Sequence, residues 1–221
     1  MNIRSFFILS GSALLTLARR HSGRRTIAFI AAAIIAILSS SPAVAATWYW
    51  NTATGGWATG ANWSNSATSG GTTGTVPLTT DSVVFNQSSV NGGEAVQIST
   101  ATTIAGLTFA NTGTTLLSSN NSTPNALTIG SGGITVNAGA GAVTLGDVTN
   151  AMPITLGAAQ TWTNNSASLL SIVNNVTNGG YLLTIAGTGN TTISGVVGTG
   201  AGGLTKLSSG TLTLAAANTY T

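Results

Sequence analysis

The sequence has no cysteine, a single histidine and very few charged residues among its 221 positions. Without cysteine the chain forms neither a disulfide nor a thiolate metal site, which excludes the small disulfide-rich class of secreted domain. Glutamate, lysine and arginine, which are good helix formers, are nearly missing after residue 46. No stretch in that part has a helical period of apolar residues. We therefore expect neither a disulfide framework nor a helical fold.

The basic balance of the chain is confined to its first 25 residues. The formal net charge is +3 and the pI is near 10.0, but all five arginines and His21 lie in that segment. The charged residues after it are Asp81, Glu94, Asp147 and Lys206, which together carry a net charge of −2. A chain of this kind has no basic surface for phosphate groups, so we expect no nucleic-acid partner.

Segment 1–45 has the features of a long signal peptide. Paired arginines precede an apolar run from Ile27 to Leu38, and the small residues Ala43-Val44-Ala45 follow it. A positive segment, a short apolar core and an A-x-A site are typical of secretory signal peptides. The run is shorter than the roughly 20 residues of a membrane-spanning helix. We expect cleavage after Ala45 and export by the general secretory route; an uncleaved N-terminal anchor is the alternative.

Two regions follow the predicted cleavage site. Region 46–94 is rich in loop residues and in tryptophan, whereas region 95–221 consists of short apolar pairs that alternate with Thr or Ser. Turn residues separate these pairs at intervals of roughly ten residues. A period of two places both members of a pair on the same face of a strand. The pairs are Val96/Ile98, Leu107/Phe109, Leu127/Ile129, Ile134/Val136, Val143/Leu145, Ile154/Leu156, Leu170/Ile172, Leu183/Ile185 and Leu212/Leu214.

Short, evenly spaced strands are compatible with a sandwich, a barrel or a solenoid. A closed globular surface normally carries abundant charge, which this region lacks. In a parallel β-helix each coil buries its apolar face against the next, and Asn, Ser and Thr can take the place of charged groups. We therefore predict an all-β fold, a right-handed parallel β-helix with about 20 residues in each coil. The alternative is an antiparallel β-sandwich.

The tryptophans of region 46–94 have two interpretations. As a cap, they would cover the open end of the first coil, which a solenoid requires. As a binding surface, Trp48, Trp50, Trp57 and Trp63 would offer flat aromatic faces to the rings of a cell-surface glycan. We predict a Trp-rich N-terminal cap over 46–94, with glycan contact as the alternative.

The last 27 residues, Gly195–Thr221, read GVVGTGAGGLTKLSSGTLTLAAANTYT. This string resembles the autotransporter-associated β-strand repeat, also called the passenger-associated transport repeat. Ser208 and Ala216 stand where that repeat usually has glycine. The opening of region 46–94, with Asn62-Trp63-Ser64, is also similar to the start of such proteins. The positions that carry the resemblance are Gly203, Leu204, Lys206, Gly210, Leu212, Leu214, Asn218 and Tyr220.

The resemblance implies the N-terminal part of a passenger, displayed or released at the outer membrane of a Gram-negative-type bacterium. Such passengers have a separate C-terminal translocator barrel, so that barrel and the secretion machinery are the implied partners. The sequence ends at Thr221 inside the repeat, as either a fragment of a longer passenger or a truncated frame. In the repeat we expect Lys206 to be solvated and the glycines Gly202, Gly203 and Gly210 to form corners. The coil interior is expected to be filled by Leu204, Leu207, Leu212 and Leu214.

The exported region offers little for catalysis. Glycoside hydrolysis requires two carboxylates about 5–10 Å apart, and the spacing of the three acids predicts no such pair. Lyases need a basic proton abstractor, and Lys206 is the sole candidate. With His21 in the leader a Ser-His-Asp arrangement is excluded, and three scattered acids are poor calcium ligands. We predict no catalytic residue, metal or cofactor, and a structural display role; the alternatives are an adhesion module and a fragment of a polysaccharide-degrading enzyme.

Overall fold

The computed structural model describes residues 44–68, 74–86, 94–120, 123–198 and 200–221. They lie in one compact unit, residues 44–221. The predicted signal peptide falls outside these residues, except for Val44 and Ala45. Among the described residues no helix is long and apolar enough to cross a membrane.

The described residues form 18 short strands and one 3-10 turn, Gly60–Asn62. The strands are short because Gly, Asn and Ser interrupt the apolar pairs, as the sequence predicts. They are β1 (Thr47–Trp50), β2 (Thr54–Gly56), β3 (Trp63–Ser64), β4 (Ser82–Phe85), β5 (Glu94–Ile98), β6 (Thr102–Phe109), β7 (Thr115–Ser119), β8 (Leu127–Val136), β9 (Val143–Leu145), β10 (Ile154–Leu156), β11 (Gln160–Asn164), β12 (Leu170–Ile172), β13 (Val176–Thr177), β14 (Leu183–Ala186), β15 (Thr191–Ile193), β16 (Val197–Gly198), β17 (Leu204–Lys206) and β18 (Leu212–Leu214).

The chain passes repeatedly from one sheet to the other and back, so it winds as a solenoid. One sheet contains β3, β1, β4, β6 and β8 in spatial order, and continues through β10, β13 and β16 and, beside them, β11, β14 and β17. The other sheet has the order β2, β5, β7, β9, β12, β15 and β18. The strand pairs of these sheets are parallel, for example β5 with β7 and β12 with β15, except that β1 and β3 are antiparallel. The predicted parallel β-solenoid is therefore confirmed, and the antiparallel sandwich is wrong.

The coils become regular toward the C-terminal end. Leu170 pairs with Thr191, which pairs in turn with Leu212, and hydrogen bonds between these last coils span 21 residues. This agrees with the coil length expected from the sequence. At the N-terminal end the steps are longer, because Thr54 of β2 pairs with Ala95 of β5.

A glycine-rich corner divides one sheet into two faces as the coils proceed. The register of β6 against β8 shifts between Ile104 and Gly106, so that β8 carries extra residues at the bend. Gly133 in this bend has a φ of 62°, and a Cβ there would overlap the carbonyl oxygen of Thr161 in the next coil. A residue with a side chain would therefore be strained and would clash. β8 runs through the bend and pairs with two separate strands of the next coil, β10 before the bend and β11 after it. From that coil onward each coil has three strands instead of two.

The apolar pairs predicted from the sequence form the core. In the second sheet Leu145, Ile172 and Ile193 lie in register on successive coils, and all three are fully buried. The hydroxyl residues between the pairs, such as Thr144 and Ser171, are partly exposed on the outer face. Each coil thus completes its core only by contact with its neighbours, which is how a solenoid gains stability.

Asparagine side chains hold the corners between coils. The Oδ1 atom of Asn174 accepts the backbone N–H of Met152 at 2.8 Å and of Asp147 at 3.2 Å, and its Nδ2 donates to the carbonyl of Asp147 at 3.1 Å. In the preceding corner, between β11 and β12, Asn164 donates through Nδ2 to the carbonyls of Ser168 and Asn190, at 2.9 and 2.8 Å. Buried backbone groups need such partners. At these corners amides, rather than charged side chains, satisfy them.

Solenoid pairing begins inside the region that the sequence pattern separates as a cap. In region 46–94, β1 and β2 already pair in parallel with β4 and β5, and β4 pairs with β6. The segment that departs from the coil lies between β2 and β4, and it carries the antiparallel strand β3. The ladders therefore continue across the boundary at 94/95.

Candidate functional site: the two ends of the solenoid

At the N-terminal end the core is an aromatic cluster, defined here as Trp50, Trp57, Trp63, Phe85 and Phe109. Trp50 and Trp63 face each other across the antiparallel pair, with ring centroids 4.9 Å apart, and Trp57 lies 4.7 Å from Trp63. Phe85 is 6.3 Å from both Trp50 and Trp63, and it stacks on Phe109 of the following coil at 5.0 Å. The cluster therefore joins β1, the segment around β3 and the next two coils.

Burial removes three of the four predicted glycan-contact residues from the surface. Trp50 and Trp63 are 0% exposed and Trp57 is 3% exposed. The indole N–H of Trp63 donates to the carbonyl of Trp57 at 2.7 Å, whereas Nε1 of Trp50 is buried without a partner. A ring must present an open face to stack on a sugar, so these three do not form a glycan platform. Trp48 alone of the four is partly exposed.

Trp48 is held by Asp81, a carboxylate that is only 2% exposed. Its Oδ2 accepts the indole N–H of Trp48 at 3.0 Å and the backbone N–H of Leu78 at 2.7 Å. Its Oδ1 accepts the backbone N–H of Ala46 at 2.8 Å. Sequence reasoning missed this arrangement, because a single aspartate in a loop shows no spacing that relates it to Trp48 or Ala46.

The other two acids also accept hydrogen bonds from their own surroundings. Glu94 is buried in β5, and its Oε2 accepts the hydroxyl of Thr115 at 3.3 Å. Asp147 lies in the corner after β9 and accepts the N–H groups of Thr149 at 2.6 Å and Asn150 at 3.2 Å. These two backbone hydrogen bonds hold the pKa of Asp147 below its usual value. In the part of the chain that the structure describes, no three acidic or histidine side chains group as metal ligands.

The residues that carry the repeat resemblance lie at the other end, on β17, β18 and their corners. Leu204, Leu212, Leu214 and Tyr220 are half-buried and pack against the core. Asn218 accepts the N–H of Val197 through Oδ1 at 2.7 Å and donates to Ala216 at 2.9 Å. Leu204, Leu212 and Leu214 therefore face the coil interior, as expected from the sequence. The expectation is wrong for Leu207, which follows β17 in the corner and is 53% exposed.

Of the two glycines of this motif, Gly210 forms a corner, as expected, whereas the carbonyl of Gly203 accepts the N–H of Leu183 beside the ladder of β14 and β17. Gly203 directly precedes β17, and Gly210 lies in the corner between β17 and β18. Gly210 is buried, and a Cβ there would overlap the carbonyl oxygen of Gly189 in the preceding coil. The corner at Gly210 is therefore closed to larger residues.

Lys206 and Ser208 share one corner of the last described coil. Lys206 is exposed, in agreement with the expectation, and its ammonium group donates to the carbonyls of Leu207 and Ser208 at 2.6 and 2.8 Å. Ser208 has a φ of 69°, the only positive φ of a residue other than glycine among the described residues. Glycine is the residue that adopts this conformation without strain, and it is the usual residue of the resembling repeat at this position.

A shallow groove of about 360 Å³ lies on the outer face of the first sheet. Its lining includes Thr135, Thr161, Thr163 and Thr184, together with Gln160, whose amide is buried and hydrogen-bonded to Ile129 and Trp162. No charged or aromatic side chain lines it. The groove offers hydrogen-bonding groups but no group that titrates near neutral pH.

No protein-family model matches the chain, and searches of curated proteins and of solved structures find no significant match. The fold and the geometry of the two ends therefore carry the functional argument.

Proposed function

We propose that this chain is an exported, non-catalytic structural protein, a passenger-like stalk that spaces or displays other segments at the bacterial cell surface. The observation that carries the proposal is the repeated stacking of equivalent positions. Leu145, Ile172, Ile193 and Leu214 occupy the same register on four successive coils. A body of this kind lengthens by adding coils, each of which needs only its neighbours. Such a construction suits a spacer.

The use of the polar groups supports the same function. Asp81, Glu94 and Asp147 accept hydrogen bonds within the solenoid, and the ammonium group of Lys206 binds the carbonyls of its own corner. Asn164 and Asn174 likewise connect corners of neighbouring coils. These contacts hold the chain together, and none of them requires a ligand.

The local geometry of the repeat supports the resemblance to autotransporter passengers. Leu204, Leu212 and Leu214 face the interior, and the positive φ of Ser208 occurs where that repeat usually has glycine. On this basis we propose that the secretion machinery, and a translocator barrel encoded with the passenger, are the partners of the chain. The proposed location is the cell surface or the medium of a Gram-negative-type bacterium.

Export can be tested with the full chain carrying a C-terminal epitope tag in a Gram-negative host. We expect a product shortened at its N-terminus and located beyond the inner membrane. The control is a double variant with arginine in the apolar run, Ile34→Arg with Ile35→Arg, which should remain in the cytoplasm at full length. A wild-type chain that also remains there at full length would contradict the proposal. Release of reducing ends from polysaccharides by the purified wild-type chain would favour the enzymatic alternative.

Glycan binding is the second candidate function, and the observation that favours it is the hydroxyl-lined groove. Thr161 and Thr163 point outward from β11 into this groove, while Trp162 between them is fully buried. Replacing both threonines by valine removes the hydroxyls with little change in shape. If the wild-type chain is retained on immobilised glycans and this variant is not, the chain is a binding module. We expect neither to be retained.

A further inference from the structure

Ala46 is the residue at which the described chain joins the hydrogen bonding of the solenoid. Val44 is 88% exposed and Ala45 is exposed. Ala46, by contrast, donates its N–H to Oδ1 of Asp81 at 2.8 Å and accepts the N–H of Ser82 at 2.9 Å. Cleavage after Ala45, which the A-x-A site predicts, would therefore occur just outside the folded region. It would leave the nitrogen of Ala46, already in contact with Asp81, as the new N-terminus.

Asp81 is buried without a cation among the described residues. The lone cationic side chain of that part of the chain is Lys206, which donates to the carbonyls of its own corner in the last described coil. Asp81 instead accepts three N–H groups, from Ala46, Leu78 and Trp48. Such donors stabilise a carboxylate, but a buried charge without a partner of opposite sign remains costly. A positively charged group beside the carboxylate of Asp81 would therefore stabilise it.

We propose that Asp81 receives the α-ammonium group that signal-peptide cleavage creates at Ala46, so that maturation places an ion pair at the N-terminal end of the solenoid. The inference rests on the proposed export of the chain. In the cleavage step one water molecule adds across the Ala45–Ala46 peptide bond. The hydroxyl joins the carbonyl carbon of Ala45 and the hydrogen joins the nitrogen of Ala46. At neutral pH the new carboxyl group of Ala45 loses a proton and the amine of Ala46 takes one up, because an α-amino group has a pKa of about 8.

The product binds Asp81 more strongly than the peptide group does. A peptide nitrogen donates a single hydrogen, whereas an ammonium group donates three and carries a full positive charge. Charge-assisted hydrogen bonds are about twice as strong as neutral ones. The same carboxylate also orients the indole of Trp48 on β1. The first coil would therefore be more stable in the cleaved protein than in the chain that still carries its leader.

Three versions of the exported region test this ion pair, since residues 44–221 form a compact unit of their own. One version begins at Ala46, one begins at Ala45, and the third begins at Ala46 with its α-amino group acetylated. We expect urea to unfold the free Ala46 chain with an equilibrium constant about tenfold lower than either control, which equals about 1.4 kcal/mol. In the Asp81→Asn background that difference should disappear, as a double-mutant cycle requires of a direct pair. Equal stability of the three versions would overturn the inference.

Amine reactivity gives a second readout that does not depend on the folding of the Asp81→Asn variant. The chain from Ala46 contains two amines, the α-amino group and Lys206. With an amine-reactive ester at neutral pH, we expect the α-amino group to react more slowly in the Ala46 chain than in the Ala45 chain. Lys206 should react equally in both, and so serves as an internal control. Equal labelling of the two α-amino groups would overturn the inference.

N-terminal sequencing of the exported protein separates this inference from the proposed function. A product that begins at Ala46 supports both. A product that is exported but begins at Thr47 or elsewhere overturns the role of Asp81 and leaves export intact. A chain that stays uncleaved in the cytoplasm overturns both.

Discussion

The core of the solenoid is completed by different residue types in the first coils and in the C-terminal coils. The C-terminal coils repeat with a step of 21 residues, aliphatic pairs and asparagine corners. The N-terminal end uses longer steps, the aromatic cluster, the antiparallel strand β3 and the buried carboxylate of Asp81. A coil between two similar coils finds complementary surfaces on both sides. A coil that meets β3 instead needs large side chains and its own hydrogen bonds to complete its core.

The largest effect is expected at the centre of the aromatic cluster, for Trp63→Ala. Trp63 is 0% exposed, contacts three other rings of the cluster and donates to the carbonyl of Trp57. Truncation of a buried tryptophan leaves a cavity and costs about 3–5 kcal/mol. Urea denaturation, followed by far-ultraviolet circular dichroism, measures the free energy of unfolding.

Tyr49→Ala is the matched control for Trp63→Ala. Tyr49 and Trp50 are neighbours on β1 with opposite faces, and they pair with Ser64 and Trp63 respectively. Tyr49 is partly exposed, so its truncation should cost well under half as much. If the two variants lose the same stability, the aromatic cluster is not what secures the N-terminal end.

A second pair of variants compares one position on two of the C-terminal coils, β9 to β18, which are called the regular half below. Leu145 and Leu214 lie in the same stack, separated by Ile172 and Ile193. Leu145 is fully buried, whereas Leu214 is half-buried on the last described coil. We expect Leu145→Ala to cost about 3 kcal/mol and Leu214→Ala about 1 kcal/mol in the free energy of unfolding. Equal losses would show that stacking is no more complete at Leu145 than at Leu214.

The regular half was the easier to predict from the sequence, for a physical reason. A strand buried on one face must alternate, so pairs such as Leu170/Ile172 and Leu183/Ile185 identify both the strands and their inward residues. A low charge content, together with glycine and asparagine at regular intervals, favoured the solenoid over a sandwich. The parallel pairing and the 21-residue step confirm this.

The N-terminal site was beyond the reach of a pattern. The sequence groups Trp48, Trp50, Trp57 and Trp63 by composition, but it does not say which rings point inward. Trp50 and Trp63 meet through antiparallel pairing, and Asp81 meets Ala46 across 35 positions. Contacts of that separation follow from the closure of the first coil, and no local period encodes them. The predicted glycan surface of four rings does not form, because Trp50, Trp57 and Trp63 are buried in the core.

Ser208→Gly should stabilise the regular half. Ser208 has a φ of 69°, where a residue with a Cβ is strained by roughly 1 kcal/mol or more. Glycine relieves that strain but loses more backbone entropy on folding, so we expect a net gain of about 0.5 kcal/mol. Ser209→Gly is the matched control: Ser209 is not among the residues of positive φ, and its replacement should cost about 0.5 kcal/mol. A loss of stability in both variants would show that this corner gains nothing from glycine.

The smallest effect is expected at Asp147, the one carboxylate in a corner of the regular half, and it should depend on pH. The N–H groups of Thr149 and Asn150 hold the folded-state pKa of Asp147 below the usual 3.8. Ionised Asp147 therefore stabilises the fold above pH 3.8, and the contribution is lost as the pH falls through the lower folded-state pKa.

The measurement is the free energy of unfolding of the wild type and of Asp147→Asn along an acid series. Asp81 and Glu94 are present in both chains, so the difference between the chains isolates Asp147. That difference should be small at neutral pH, since the corner is in contact with solvent, and should shrink in acid. A difference that does not change with pH would mean that the corner needs only an oxygen acceptor at this position, as the asparagine corners do, and that its charge is dispensable.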